Sequence, residues 1–283
     1  MDNTKPASRE TASPPPEDPE TTLSGLLTRT AESHPEYIAT TLNDADITYG
    51  DLHLKARAFA RALSRLGIRR GDRVALLLPN SPTYVIAFYG AARIGAIVVN
   101  INVMAAGEEL RGLLQDSGSK LVVTLDLFLQ SVRRGIEVTA VEHVIYHSVF
   151  GMESGVEFPQ GFPGPSLFSE LVDAHFREEQ PPLCRGDDIA VLQYTSGATG
   201  DPKAAVLTHR NIVCNVGQID RAIPVEDLGN GAVICIIPFF HVFGMTVSLH
   251  LSVYKGYRMV LVPQFDWSSV FPLMEMIEKF RPV

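Results

Sequence analysis

The feature that narrows the fold most is an alternation between short, continuous apolar runs and segments of helical period. Val74-Ala75-Leu76-Leu77-Leu78 has no polar position to face water, as expected of a strand covered on both sides. Upstream of it, Thr48 and Asp51 have the spacing of a helix start, where side chains satisfy exposed backbone N–H groups. Leu52, Phe59, Leu63 and Leu66 then recur at helical spacing, and Gly67 supplies the stop. Downstream, Pro82 suits the first turn of a helix that runs to Ile94 and closes at Gly95. Residues 96–99 predict a strand, 108–114 a helix, 121–124 a strand and 144–146 a further short strand. Such units in series imply an α/β fold of doubly wound, mostly parallel sheets with helices on both faces.

The first structured unit is expected to open at Ile47. Residues 1–22 are polar and contain Pro6, Pro14, Pro15, Pro16 and Pro19. They have no apolar stretch of a secretory signal and read as a disordered extension. Residues 150–182 are irregular, with one short helix at 167–176, and the strand–helix pattern resumes at Ile189. The expected division is therefore 1–22 disordered, 23–182 a first α/β subdomain and 183–283 the start of a second. A chain of 283 residues is near the upper limit for one core.

The net charge of −8 argues against the basic field of a typical nucleic-acid binder, and totals leave a local basic patch open. Cys184, Cys214 and Cys235 are odd in number and lack paired spacing, so neither a zinc site nor a disulfide framework is expected. Their apolar neighbours predict buried free thiols in a reducing, cytoplasmic setting. Residues 232–254 carry no Asp, Glu, Lys or Arg and have the length of a membrane span. Pro238, His241 and His250 interrupt that stretch. It reads instead as a buried strand (Val233, Ile234, Ile236, Ile237), then a helix-like half after Gly244. Peripheral membrane contact and the oligomeric state stay open.

The segment after 189–194 carries chemistry. Thr195-Ser196-Gly197-Ala198-Thr199-Gly200-Asp201-Pro202-Lys203 puts hydroxyls, glycines and a lysine at the end of a strand. Glycines let the backbone approach a ligand closely, and successive N–H groups form a concavity for anionic oxygens. Lysine adds a mobile positive charge. The pattern suits polyphosphate, with a Gly-rich surface turn as the plainer alternative. A Walker-type loop is excluded, since Gly197 and Gly200 are too close and Lys203 comes two residues late.

Tyr194 through Lys203, continuing as Leu207-Thr208-His209-Arg210-Asn211, resembles the signature of the adenylate-forming superfamily, Y-T-S-G-[ST]-T-G-x-P-K-G followed by L-T-H-x-N. Ile47-Thr48-Tyr49-Gly50-Asp51-Leu52, Gly71-Asp72-Arg73-Val74, Pro79-Asn80-Ser81 and Gly95-Ala96 resemble its earlier motifs, so the likeness covers about residues 25–283. The resemblance implies that Thr195, Ser196, Gly197, Ala198, Thr199, Gly200 and Lys203 hold the β- and γ-phosphates of ATP. Two positions depart from the pattern. Ala198 removes a hydroxyl donor, a loss of about 1.5–3 kcal/mol if that bond is made to a charged ligand. Ala204 replaces a glycine and adds a methyl.

Pro238-Phe239-Phe240-His241-Val242-Phe243-Gly244 resembles the P-x-F-H-x-x-G motif of acyl- and aryl-CoA synthetases. His241 taken alone reads as a packed core histidine; by resemblance it lines a carboxylate pocket. Amino-acid-activating relatives place an F-D-x-S motif in this region. Here Phe265-Asp266-Trp267-Ser268 lies too far downstream and reads as the start of a helix over 268–280, with Asp266 or Ser268 near its N-cap. The resemblance thus implies a ligase that activates a fatty or aryl carboxylic acid with ATP and Mg²⁺, then passes the acyl group to coenzyme A. It casts Lys203 and His241 as catalytic and leaves the metal ligands unknown. It also implies an incomplete large N-terminal domain without the small C-terminal one, and hence little turnover by these 283 residues alone. A non-catalytic remnant that binds nucleotide or acyl chains, and a peptide-synthetase adenylation module, are the alternatives.

Overall fold

The computed structural model describes residues 22–151, 155–176, 184–195, 203–223, 231–264 and 270–283. Thr22, assigned from sequence to the extension, is the N-cap of α1 (Leu23–Ser33), and its hydroxyl accepts the Gly25 N–H at 3.1 Å. Residues 1–21 lie outside the described ones. Strands β1 (Ile38–Leu42) and β2 (Ala45–Thr48) follow as a hairpin. Its turn residues, Asn43 and Asp44, both have left-handed backbones, with φ of 48° and 64°, a conformation these two residue types tolerate best after glycine. Ordered structure therefore begins well before Ile47. A four- or five-residue strand rich in threonine has too short a period to stand out.

From Thr48 onward the observed elements follow the expected alternation. Thr48 Oγ1 caps α2 (Tyr49–Arg65) by accepting the Asp51 N–H at 3.1 Å, and Gly67 leaves the helix at φ 84°. Then come β3 (Arg73–Leu77), α3 (Pro82–Arg93), β4 (Ile97–Asn100), α4 (Gly107–Ser117), β5 (Leu121–Leu125), α5 (Leu129–Gly135) and β6 (His143–His147). The irregular stretch yields β7 (Ser166–Leu167) and α6 (Phe168–His175). The last part holds β8 (Ile189–Thr195), β9 (Lys203–Thr208), α7 (His209–Ala222), β10 (Ala232–Cys235), α8 (Leu251–Lys255), β11 (Arg258–Leu261) and α9 (Phe271–Phe280). Val270 occupies the cap position of α9 without a side-chain bond, while Asp266 and Ser268 lie outside the described residues.

Seven strands form one sheet in the order β7-β6-β5-β3-β4-β8-β9, parallel except for β9. A second sheet has the order β10-β11-β1-β2, with only β2 antiparallel. Both sheets draw strands from either side of residue 183. Alternation along β3 explains its uninterrupted apolar sequence. Val74 and Leu76 enter one core with α1, α2 and α3, whereas Ala75 and Leu77 enter another with Leu110, Leu114, Leu129 and Val132 of α4 and α5. The first core also takes Ala39, Cys235, Met259 and Leu261 from the second sheet. Helices α1–α3 thus share one core with residues of both sheets. Each large aliphatic or aromatic side chain buried there contributes about 1.5–3 kcal/mol.

Residues 232–254 resolve into β10, a connecting loop, a π-helical turn at Gly244–His250 and α8. Among the described residues no helix is long and apolar enough to cross a membrane. The three cysteines are free, but only Cys235 is buried; Cys184 and Cys214 are half-buried, which corrects the expectation for them.

Candidate functional site

Strand β8 runs parallel to β4, with Gln193 opposite Asn100, and delivers the chain to the carboxyl end of the seven-stranded sheet. Ligands of open α/β sheets bind at that end. Strand β9 returns antiparallel, pairing Thr195 with Lys203 and Tyr194 with Ala204. The antiparallel pair thus ends at Thr195 and Lys203, which flank the hydroxyl- and glycine-rich segment and form the neck of the hairpin. Both are exposed, and Thr195 Oγ1 donates to the Lys203 carbonyl at 3.4 Å. Of the residues expected to hold phosphate, Thr195 and Lys203 are placed here. Ser196, Gly197, Ala198, Thr199 and Gly200 lie outside the described residues. Ala204 sits half-buried in the ladder, so its methyl is an ordinary strand side chain.

The neck is braced from both directions. Tyr194 donates its phenol to the Asp116 carboxylate at the end of α4. Burial, reinforced by that carboxylate, raises the Tyr194 pKa and keeps the phenol protonated. After β9, Thr208 and Asn211 form a reciprocal cap on α7. Thr208 Oγ1 accepts the Asn211 N–H at 3.1 Å, and Asn211 Oδ1 accepts the Thr208 N–H at 3.0 Å. The L-T-H-x-N motif is thus a helix start. Its histidine is buried, with Nδ1 accepting the Leu23 N–H at 3.3 Å, and burial lowers its pKa to about 4.

His241 belongs to the loop between β10 and the π-helical turn. Contrary to the reading of the residue alone, it is exposed. Its N–H donates to Pro238 O at 3.0 Å, its carbonyl accepts the Met245 N–H at 2.9 Å, and its Nδ1 accepts the Phe243 N–H at 3.2 Å. With Nδ1 used as an acceptor, the neutral ring carries its proton on Nε2 and presents a donor. Gly244 permits this turn. A Cβ there would lie 2.3 Å from Pro238 O and 2.8 Å from Ile237 O, both fixed backbone atoms.

Four buried polar residues hold the His241 loop against the sheet. Asn80 Nδ2 donates to Cys235 O at 2.8 Å and Ile237 O at 3.0 Å, while Asn80 Oδ1 accepts the Phe239 N–H at 2.7 Å. The single Tyr84 O–H donates to Asn100 Oδ1 at 2.7 Å and is shared with the Phe239 carbonyl at 3.1 Å. Asn100 Nδ2 donates to Gln193 Oε1 at 3.1 Å, and Gln193 Nε2 donates to Phe240 O at 2.8 Å. The strand that ends at Thr195 is thereby bonded to the residue before His241. Sequence reasoning assigned none of these four a role. The signal was a polar residue closing an apolar run at a strand's carboxyl end, as in Val98-Val99-Asn100. A cleft of about 950 Å³ lined by Arg29, Arg70 and Asp188 opens at the amino end of β8 and contains neither neck residue nor His241. The candidate site is defined by hydrogen-bonded geometry at the other end of the strand.

Residues 27–283 match the family described as AMP-binding enzyme. Over 93% of its length the chain is 33% identical to a long-chain-fatty-acid–CoA ligase of Bacillus subtilis, covering 50% of that protein. It is 35% identical to 4-coumarate–CoA ligase CCL1 of Humulus lupulus, covering 83% of this chain and 41% of that one. Among solved structures, a long-chain-fatty-acid–CoA ligase from Archaeoglobus fulgidus superposes with a TM-score of 0.80 at 26% identity, over 95% of this chain and 52% of that one. The chain spans about half the length of the relatives it matches.

Proposed function

Because the chain belongs to the AMP-binding enzyme family, we propose that it carries the nucleotide- and acid-binding part of an ATP-dependent acid–thiol ligase acting on a fatty acid or an aryl acid. In the first step a carboxylate oxygen attacks the α-phosphorus of ATP, the bond from that phosphorus to the bridging oxygen breaks, and pyrophosphate leaves. In the second, the coenzyme A thiolate attacks the acyl carbon and the bond to AMP breaks. The relatives' names, fatty-acid–CoA ligase and 4-coumarate–CoA ligase, support the two acid classes.

In this reading the hairpin from Thr195 to Lys203 receives the triphosphate tail, with Ser196, Gly197, Ala198, Thr199 and Gly200 in its connection. Lys203 supplies charge to the leaving pyrophosphate, the point where negative charge accumulates. His241, with Nδ1 occupied by the Phe243 N–H, offers Nε2–H to the carboxylate and orients it toward phosphorus. The nucleotide is taken as its Mg²⁺ complex, so the ion arrives with the phosphates. The three free thiols support a reducing compartment such as the cytoplasm.

The observation that carries the reading is the Gln193–Phe240 hydrogen bond. It joins the phosphate hairpin to the His241 loop, as a reaction between a phosphate and a carboxylate requires. Calorimetric titration with MgATP and a non-hydrolysable acyl-adenylate mimic tests it, alongside pyrophosphate–ATP exchange with a panel of fatty and aryl acids. Binding of both ligands is expected; binding of neither, with exchange absent for every acid, removes the assignment.

A further inference from the structure

We propose that Gln193 is a positioning residue that sets the spacing between the nucleotide side of the site and its acid side, an inference that rests on the function proposed above. Gln193 is buried, and both ends of its amide are committed across elements distant in sequence. Oε1 accepts from Asn100 on β4, and Nε2 donates to the Phe240 carbonyl, 47 residues away. Its own strand position is two residues before Thr195, and its acceptor is one residue before His241. Neither end of the amide is spare.

The donors form a directed chain from Tyr84 to Asn100 to Gln193 to Phe240. Each amide is polarised by the bond it accepts and donates more strongly for it. The surroundings are apolar, with Tyr84, Phe239 and Met245 buried and Asn100 Nδ2 also 3.3 Å from Met245 Sδ. An aliphatic residue of similar length would fill this space, but the Asn100 N–H now given to Gln193 would lose its acceptor and the Phe240 carbonyl its side-chain donor. The amide therefore fixes the loop's distance from the strand, a property that volume alone cannot fix. That distance matters most to a ligand touching both sides, and little to one touching a single side.

The test compares dodecanoyl-sulfamoyl-adenosine, which spans both sides, with AMP and dodecanoate, which each occupy one. In Gln193→Met and Gln193→Glu, affinity for the spanning ligand is expected to fall on the order of 10-fold at pH 9, while AMP and dodecanoate change less than about 2-fold. Burial raises the pKa of the carboxyl introduced by Gln193→Glu. As the pH falls from 9 to 6 that group gains a proton, can again donate to Phe240, and should recover the affinity relative to wild type at the same pH. Gln193→Met should show no recovery. Should Gln193→Met fail to fold, the pH response of Gln193→Glu decides alone. Equal losses for all three ligands, or no recovery at low pH, overturn the positioning role and leave the function intact. A wild-type chain that binds none of the three ligands overturns the function and this inference together.

Discussion

Asn80 Oδ1 accepts the Phe239 N–H at 2.7 Å across 159 residues of sequence, while the same amide's NH₂ donates to the carbonyls of Cys235 and Ile237. One side chain just before the Ser81 cap of α3 thus supplies three of the bonds that a loop without its own ladder needs. Asn80→Ala leaves the buried Phe239 N–H without its acceptor, the half-buried Ile237 carbonyl without its donor, and the Cys235 carbonyl with the Val262 N–H alone. The expected loss is about 2–4 kcal/mol of unfolding free energy, measured by urea denaturation at constant m-value. An unchanged midpoint would contradict it.

Gly244→Ala should be nearly as harmful for a different reason. Its Cβ would meet the Pro238 and Ile237 carbonyl oxygens, and neither is the end of a flexible side chain. The turn must shift, at about 1–3 kcal/mol or more, and the His241 ring shifts with it. Thermal denaturation reads the stability, and ligand titration reads the displaced histidine. An alanine variant with wild-type behaviour in both would show that the turn is looser than described.

Lys203 and His241 are exposed and should be separable from stability. Lys203→Met is expected to weaken MgATP binding by roughly 10-fold or more, the scale of one charge-assisted bond. His241→Ala is expected to weaken carboxylate binding while leaving MgATP within about 2-fold, and neither should move the melting temperature appreciably. Calorimetric titration of each ligand against each variant checks the pattern. A large melting shift would assign these side chains to structure.

Acid should destabilise the fold through two buried histidines. Burial lowers His209 to about 4 and His250 to about 3, the latter helped by His209 itself. Both pKa values lie below the unfolded value of about 6.5, so the unfolded chain binds more protons below that pH. Their contribution is fully present above about pH 6.5 and is lost as the pH falls toward 4 and then 3. Each histidine adds up to about 1.4 kcal/mol per pH unit in that window. His250→Gln should flatten the dependence of unfolding free energy on pH between 6.5 and 4. A slope identical to wild type would mean that another group carries it.

How much of this was legible in the sequence depends on the range of each interaction. The alternation around Val74–Leu78, the Thr48 cap, the stop at Gly67 and the Pro82 start are local, and each appears where its residues predict. The β1–β2 hairpin escaped because its strands are short and its turn, Asn43-Asp44, lacks glycine. His241 was recognised through a motif; its exposure was not, because an apolar neighbourhood in sequence suggests burial. The Asn80, Tyr84, Asn100 and Gln193 network could not be derived, since each bond joins residues that only the folded sheet brings together. Cys184 and Cys214 show the same limit in reverse: apolar neighbours along the chain did not bury them.

Strand β1 sits between β2 and β11, so the register Thr40–Met259 and Thr41–Val260 ties residues near one end of the chain to residues near the other. During synthesis at about 5–20 residues per second, the β1–β2 hairpin waits roughly 10–40 s for its second neighbour to leave the ribosome. Over that interval one flank of β1 presents unpaired N–H and C=O groups, a template for another chain. The yield of soluble protein should therefore respond to translation speed and to chaperones that shield nascent strands.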